Sequence, residues 1–185
     1  TRYFLMREVP FGNDGDFSRR AMIHRMNGDL ANDLGNLSQR VLSMIFKNCS
    51  GVMPALPATA APEDSALLDA ADAMLGKVRA HMDVQSFHEA LRCIWEVVSD
   101  ANKYVDTTAP WGLKKTDPVR MGEVLAVLAE TIRQAAILVQ PVMPGSASKI
   151  LDQLSVADGQ RGFDMLAGAG PVSYTHLRAH ETSLH

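Results

Sequence analysis

The chain has 185 residues, enough for one domain with a sizeable core. Hydrophobic residues make up 46% of it, aromatics only 6%, and there are 10 methionines, so the expected core is aliphatic side chains packed between helices rather than a β-sandwich. A formal net charge of -3 excludes a protein held to nucleic acid by bulk charge, and any such site must be local. In chain order, R-Y-F-L-M-R-E (Arg2 to Glu8) reads as a helix-compatible end of something larger, V-P-F-G-N-D-G-D as a turn-rich connector, and Ser18 as the cap of a new helix. From there Leu30, Leu34, Leu37, Val41, Met44 and Ile45 fall on one helical stripe, with a break expected near Gly28-Asp29 and a left-handed cap at Gly51.

Residues 54–62, rich in Pro and Ala, read as a loop, and Glu63-Asp64 place acid in the first turn of the next helix, where the helix dipole favours it. That helix carries Leu67, Leu68, Ala71, Met74, Leu75, Val78 and His81. Asp83 is the expected cap of a further helix with Phe87, Leu91, Ile94, Trp95, Val98 and Ala101 on its buried face; it should end before T-T-A-P-W, because proline biases its predecessor out of helical geometry. Another helix starts about Asp117-Pro118, carries Met121, Val124, Leu125, Leu128, Ile132 and Ile137, and ends at Pro141 and Pro144. A short helix over 145–155 closes the pattern, and A-D-G-Q-R-G opens a loop. No segment shows a period-two strand pattern, so the fold class read from the sequence is all-α, an antiparallel bundle of about five helices.

Cys49 and Cys93 lie in apolar helical patterns without C-x-x-C spacing and read as free buried thiols. No apolar run approaches the ~20 residues of a membrane span, and there is no basic-then-apolar leader. His176 and His180, four apart, have a spacing that can grip zinc, but no second ligand pair accompanies them, so no metal site is expected. No glycine-rich phosphate loop or Ser-His-Asp set is present either; F-G-N-D-G-D and L-A-G-A-G are turn material.

The constellation that can carry recognition is Asn36, Arg40 and Trp111. Asn36 and Arg40 rise from one helix face about 5 to 6 Å apart, at the edge of the buried stripe. Cytosine offers an amino donor beside two acceptors, N3 and O2; a guanidinium can serve the acceptors while an amide supplies one group of each kind. Uracil reverses two of those positions and would leave buried groups unpaired, at about 1 to 3 kcal/mol each. Trp111, expected in a loop behind Pro110, offers a stacking face for an unstacked base, and Lys114 and Lys115 can meet phosphate. Read alone, an Asn/Arg pair of this spacing is more often a solvated helix flank than a ligating pair, and a tryptophan before a loop usually packs into the core. Trp95, within an apolar stripe, reads as core.

The junction from Arg2 to Ser18, followed by N-D-L-G-N-L-S-Q-R (Asn32 to Arg40) and A-P-W (Ala109 to Trp111), resembles the methionyl-tRNA synthetases of bacterial type where the class I catalytic core passes into the helical anticodon-binding domain. The resemblance spans roughly Arg2 to Gly170. It implies a connector at 1–17, an anticodon-binding domain at 18–170, and an ending at 171–185 that resembles translated adapter sequence more than a native terminus. In that family an N-x-x-x-R pair and the tryptophan of an A-P-W-type segment recognise the first anticodon base, a cytosine, and Asn36, Arg40 and Trp111 match those positions. The resemblance further implies a cytoplasmic parent that joins methionine to its tRNA with ATP and Mg2+. The H-I-G-H-like and K-M-S-K-S-like catalytic signatures are missing, lying upstream of Arg2 in this family. The fragment is therefore expected to hold no cofactor and no catalytic residue, and not to activate methionine. The rivals are the corresponding domain of another class I synthetase (leucyl, isoleucyl, valyl or cysteinyl) and a non-enzymatic helical adaptor, which a buried Trp111 would favour.

Overall fold

A computed structural model describes residues 2–8 and 18–166, without the side chains of 26, 27 and 30–32. The V-P-F-G-N-D-G-D connector and the His176/His180 pair lie outside the described residues. Among those described the fold is helical with no strand, as the sequence pattern implies. The helices are α1 (Arg2–Glu8), α2 (Arg19–Arg25), α3 (Asn36–Asn48), α4 (Pro62–Asp83), α5 (Phe87–Thr108), α6 (Pro110–Thr116), α7 (Pro118–Val139) and α8 (Pro144–Gln153).

Ser18 caps α2 as expected, its Oγ accepting from the Ala21 amide at 3.0 Å. The expected break at Gly28-Asp29 does not occur. The helix instead widens into a π-helical segment, Met26–Gly35, and runs straight into α3. Asp29 explains the continuity, because it is gripped from both sides. The Tyr3 hydroxyl donates to its carboxylate at 2.5 Å, the guanidinium groups of Arg7 and Arg25 lie at 3.8 and 3.7 Å, and the Trp95 indole donates to its carbonyl at 3.0 Å. Trp95 is buried and also meets the Tyr3 ring, with centroids 4.9 Å apart, so its core reading holds.

Leu37, Val41 and Ile45 bury the inner face of α3, with Leu34 just ahead of them, and the chain leaves the helix through left-handed Ser50 and Gly51 (φ 55° and 72°). The turn from α4 to α5 departs from expectation. Asp83 is the exposed last residue of α4 and caps nothing; the Ser86 amide donates to the His81 carbonyl at 2.8 Å and the Gln85 amide to Met82 at 2.9 Å, around a left-handed Gln85 at φ 57°. Those two bonds satisfy the final carbonyls of α4 directly. Ser155 repeats the geometry after α8, with Val156 bonding back to Leu151 at 2.9 Å.

The A-P-W segment is also not a loop. α5 runs to Thr108, Ala109 turns left-handed (φ 42°, ψ 59°), and Pro110 begins α6 instead of merely stopping α5. Proline is at home there, since the first helical position needs no amide. Asp117 closes the next hinge, accepting from the Arg120 amide at 3.0 Å.

The bundle closes around α7, which touches α3, α4, α5, α6 and α8. Its residues from Val124 to Val139 are all buried, polar ones included, so it is a central helix rather than the one-sided amphipathic helix its stripe implies. Glu130 accepts from Arg133 at 2.8 and 2.6 Å, and Gln134 bonds Asp72 at 2.7 Å, which lets polar side chains sit at that depth. Both cysteines are free; Cys93 is buried, but Cys49 is only half-buried, and burial raises both thiols above their usual range.

Candidate nucleic-acid interface

α3 begins at Asn36, so the polar pair occupies its first turn and a half, on the flank beside the Leu37/Val41 stripe. Both side chains are exposed. Across from them the last turn of α5 presents Asp106, and α6 presents Trp111. The Arg40 Nη2 donates to Asp106 Oδ1 at 2.8 Å, and its guanidinium carbon lies 5.8 Å from the centre of the Trp111 ring. Arg40 and Trp111, 71 positions apart by subtraction of their numbers, therefore meet at the surface. Asn36 stands one turn back on the same helix, its amide bonded to no other described residue.

Trp111 is 53% exposed, which removes the condition that would favour an adaptor core. An arginine over an indole is attractive by about 0.5 to 1 kcal/mol at such an exposed site. The ion pair is weaker support still, because Arg40 and Asp106 are 41% and 66% exposed and pairs of that kind contribute about 0 to 1 kcal/mol. The cluster does little for the fold. What it offers is an aromatic face, a guanidinium whose remaining N–H groups point to no described partner, and an exposed amide, with exposed Lys114 and Lys115 at the end of the same short helix.

Sequence reading missed Asp106 and the anchor beneath α6. Asp64, read as a dipole-favoured first-turn acid, is wholly buried (0% exposed). Its carboxylate accepts from Arg120 at 2.6 and 2.7 Å, from the Tyr104 hydroxyl at 2.6 Å and from the Ala61 amide at 3.2 Å. Burial pushes this carboxyl up, but the bonds from Arg120, Tyr104 and the Ala61 amide outweigh it and hold it below the usual carboxylate range. Burial and then the Asp64 carboxylate push the Tyr104 phenol upward. A tyrosine on the apolar stripe of α5 was the one available signal, since a buried hydroxyl needs a partner.

Comparison with known proteins gives the chain's family. The family model described as the anticodon binding domain of methionyl tRNA ligase matches residues 54–169. The chain belongs to the family of methionyl-tRNA ligase anticodon-binding domains. A second model, described as tRNA synthetases class I (M), matches residues 1–42. The surface cluster straddles the two: Asn36 and Arg40 fall in the class I match and Trp111 in the anticodon-binding match. Among curated relatives, a methionine–tRNA ligase of Brucella suis is 55% identical over 167 residues, covering 90% of this chain and 32% of the relative. One from Mycobacterium tuberculosis is 52% identical over 166 residues, covering 88% and 32%. The chain thus spans about a third of the length of the relatives it matches. The crystal structure of the apo Mycobacterium tuberculosis methionyl-tRNA synthetase superposes with a TM-score of 0.90 at 48% identity, covering 96% of this chain and 36% of that one. The same synthetase in complex with methionyl-adenylate superposes at 0.92, also at 48% identity, covering 97% and 36%.

Among the described residues no group of three or more His, Cys, Asp or Glu side chains could hold a metal ion, and no helix is long and apolar enough to cross a membrane.

Proposed function

We propose that the chain is the anticodon-reading part of a cytoplasmic methionine–tRNA ligase, and that Asn36, Arg40 and Trp111 read a cytosine at the first anticodon position. The observation that carries the reading is the Arg40 guanidinium lying over the face of an exposed Trp111. At 5.8 Å the contact is loose, so an incoming base can take the indole face and the guanidinium can swing to its edge. Stacking holds the base, and the arginine donors meet N3 and O2 while the Asn36 amide meets the exocyclic amine. Lys114 and Lys115 meet the backbone phosphates. In this reading residues 1–17 connect to a catalytic core, 18–170 form the anticodon-binding domain and 171–185 add nothing to recognition. The parent's ATP and Mg2+ supply methionine activation to the adenylate, before transfer to the tRNA 3′ end, from residues outside this chain.

The test is fluorescence anisotropy of two anticodon stem-loops of the methionine tRNA, one natural and one with its first anticodon base changed from C to U. The natural loop should bind at least ~10-fold more tightly, the consequence of one or more unpaired polar groups with uracil. Equal affinity for the two loops would remove the cytosine reading.

A further inference from the structure

We infer that buried Asp64 and Tyr104, together with half-buried Arg120, form a positioning clasp for the RNA site: it sets where Trp111 and Arg40 meet. The inference rests on the anticodon reading above and extends it to residues that touch no RNA.

α6 has only seven residues and carries Trp111 half in solvent, so the indole's own contacts do little to fix it. Pro110 and Leu113 seat the inner side of α6 against the bundle, and the direction in which it carries Trp111 is set at its two ends, the hinges Ala109 and Asp117. Each hinge lies a few residues from a side chain that reaches the same carboxylate. On the α5 side, Tyr104 stands one turn and a half before Ala109 and donates to Asp64 Oδ1 at 2.6 Å. On the α7 side, Arg120 follows Asp117, takes its cap through the main chain at 3.0 Å, and closes a two-pronged pair on Asp64 at 2.6 and 2.7 Å. Asp64 belongs to neither hinge; it sits in the first turn of α4 and is itself fixed by the Ala61 amide at 3.2 Å.

The helices entering and leaving α6 are therefore pinned to one buried carboxylate on a third helix. Asp106, which holds Arg40 at 2.8 Å, lies between Tyr104 and the hinge, so the clasp governs both halves of the cluster. A two-pronged guanidinium–carboxylate pair with a third donor fixes direction as well as distance. Simple core cohesion would not require both flanks of one short helix to converge on the same group.

The test uses the full chain with Trp95→Phe, which leaves Trp111 as the one indole of the two in the sequence. Into it go Tyr104→Phe, which removes a single hydroxyl, and Arg120→Lys, which keeps the charge and loses the fork. A control, Ile150→Val, trims the buried core on α8 instead. Thermal unfolding, iodide quenching of Trp111 and stem-loop affinity are measured on each. Both clasp variants should fold cooperatively, change the quenching of Trp111, and bind the natural stem-loop on the order of 10-fold more weakly, the size of one weakened stacking or hydrogen-bond contact. The control should leave quenching and binding where they were. Unchanged quenching and affinity in the folded clasp variants would overturn the inference. So would the same changes in the control, or failure of both clasp variants to fold, which would make the cluster an ordinary core link. If the unaltered chain binds no stem-loop, the anticodon reading falls, and the quenching comparison alone decides whether the clasp positions Trp111.

Discussion

Replacing Arg40 with alanine separates a recognition role from a structural one, because the two predict opposite balances of stability and binding. On the stability side the structure offers two weak contacts. The pair with Asp106 spans 2.8 Å between side chains 41% and 66% exposed, worth about 0.2 to 1 kcal/mol. The guanidinium over Trp111 at 5.8 Å adds about 0.5 to 1 kcal/mol at an exposed site. The two share one guanidinium and do not add fully, so Arg40→Ala should lower unfolding free energy by less than about 1.5 kcal/mol. On the binding side the loss is larger. Without the guanidinium, cytosine N3 and O2 go unserved at about 1 to 3 kcal/mol each, and the Asp106 carboxylate is left bare beside the phosphate chain. Trp111→Ala removes a stacking face worth about 1 to 3 kcal/mol, or roughly 5- to 150-fold in affinity. Arg40→Ala should cost at least as much and should also narrow the preference for the cytosine loop over its uracil counterpart. Urea unfolding gives the first quantity and stem-loop anisotropy the second. The double substitution should show coupling, since one base engages both side chains. An Arg40→Ala chain that loses more than about 2 kcal/mol of stability yet binds both stem-loops as before would refute the reasoning.

Two further outcomes follow from the corner beneath the site. Asp64 has its folded-state pKa lowered, so its contribution is present above its unfolded value of about 4 and is lost as pH falls through the lower folded value. The stability gap between the unaltered chain and Asp64→Asn, measured by urea unfolding from neutral pH downward, should therefore shrink below about pH 4; a gap that is constant across that range would contradict the assignment. Ala109 holds a left-handed conformation at φ 42° without being glycine. Ala109→Gly should be neutral or stabilising within about 1 kcal/mol in the same unfolding assay, where that change inside a helix destabilises by a similar amount.

The parts of this fold that the sequence makes legible are those encoded by local period. The stripes of α4 and α5, the proline start of α7 and the cap at Ser18 each need only a few neighbouring residues, and the structure keeps all of them. The departures arise where a distant partner outweighs the local signal. Gly28-Asp29 looks like a helix break, yet Asp29 is held by Tyr3, 26 residues earlier, and by Trp95, 66 residues later. Pro110 ends α5, as proline should, but a left-handed Ala109 lets the chain restart at once as α6. Asp64 reads only as a first-turn acid favoured by the helix dipole because its partners, Tyr104 and Arg120, lie 40 and 56 residues away.

The same division runs through the candidate site. Asn36 and Arg40 can be paired from their spacing alone, since four residues on a helix make neighbours. That Trp111 joins Arg40 depends on α5, α6 and α7 returning the chain to α3, and Asp106 becomes visible only once it has. An exposed arginine–tryptophan contact held by a single weak ion pair costs the fold little to open. In the proposed reading a base enters by displacing the guanidinium from the indole face, while the proposed clasp at Asp64 stays closed. A site that reads one base against another needs that combination: groups free to exchange partners, mounted on helices that do not move when they do.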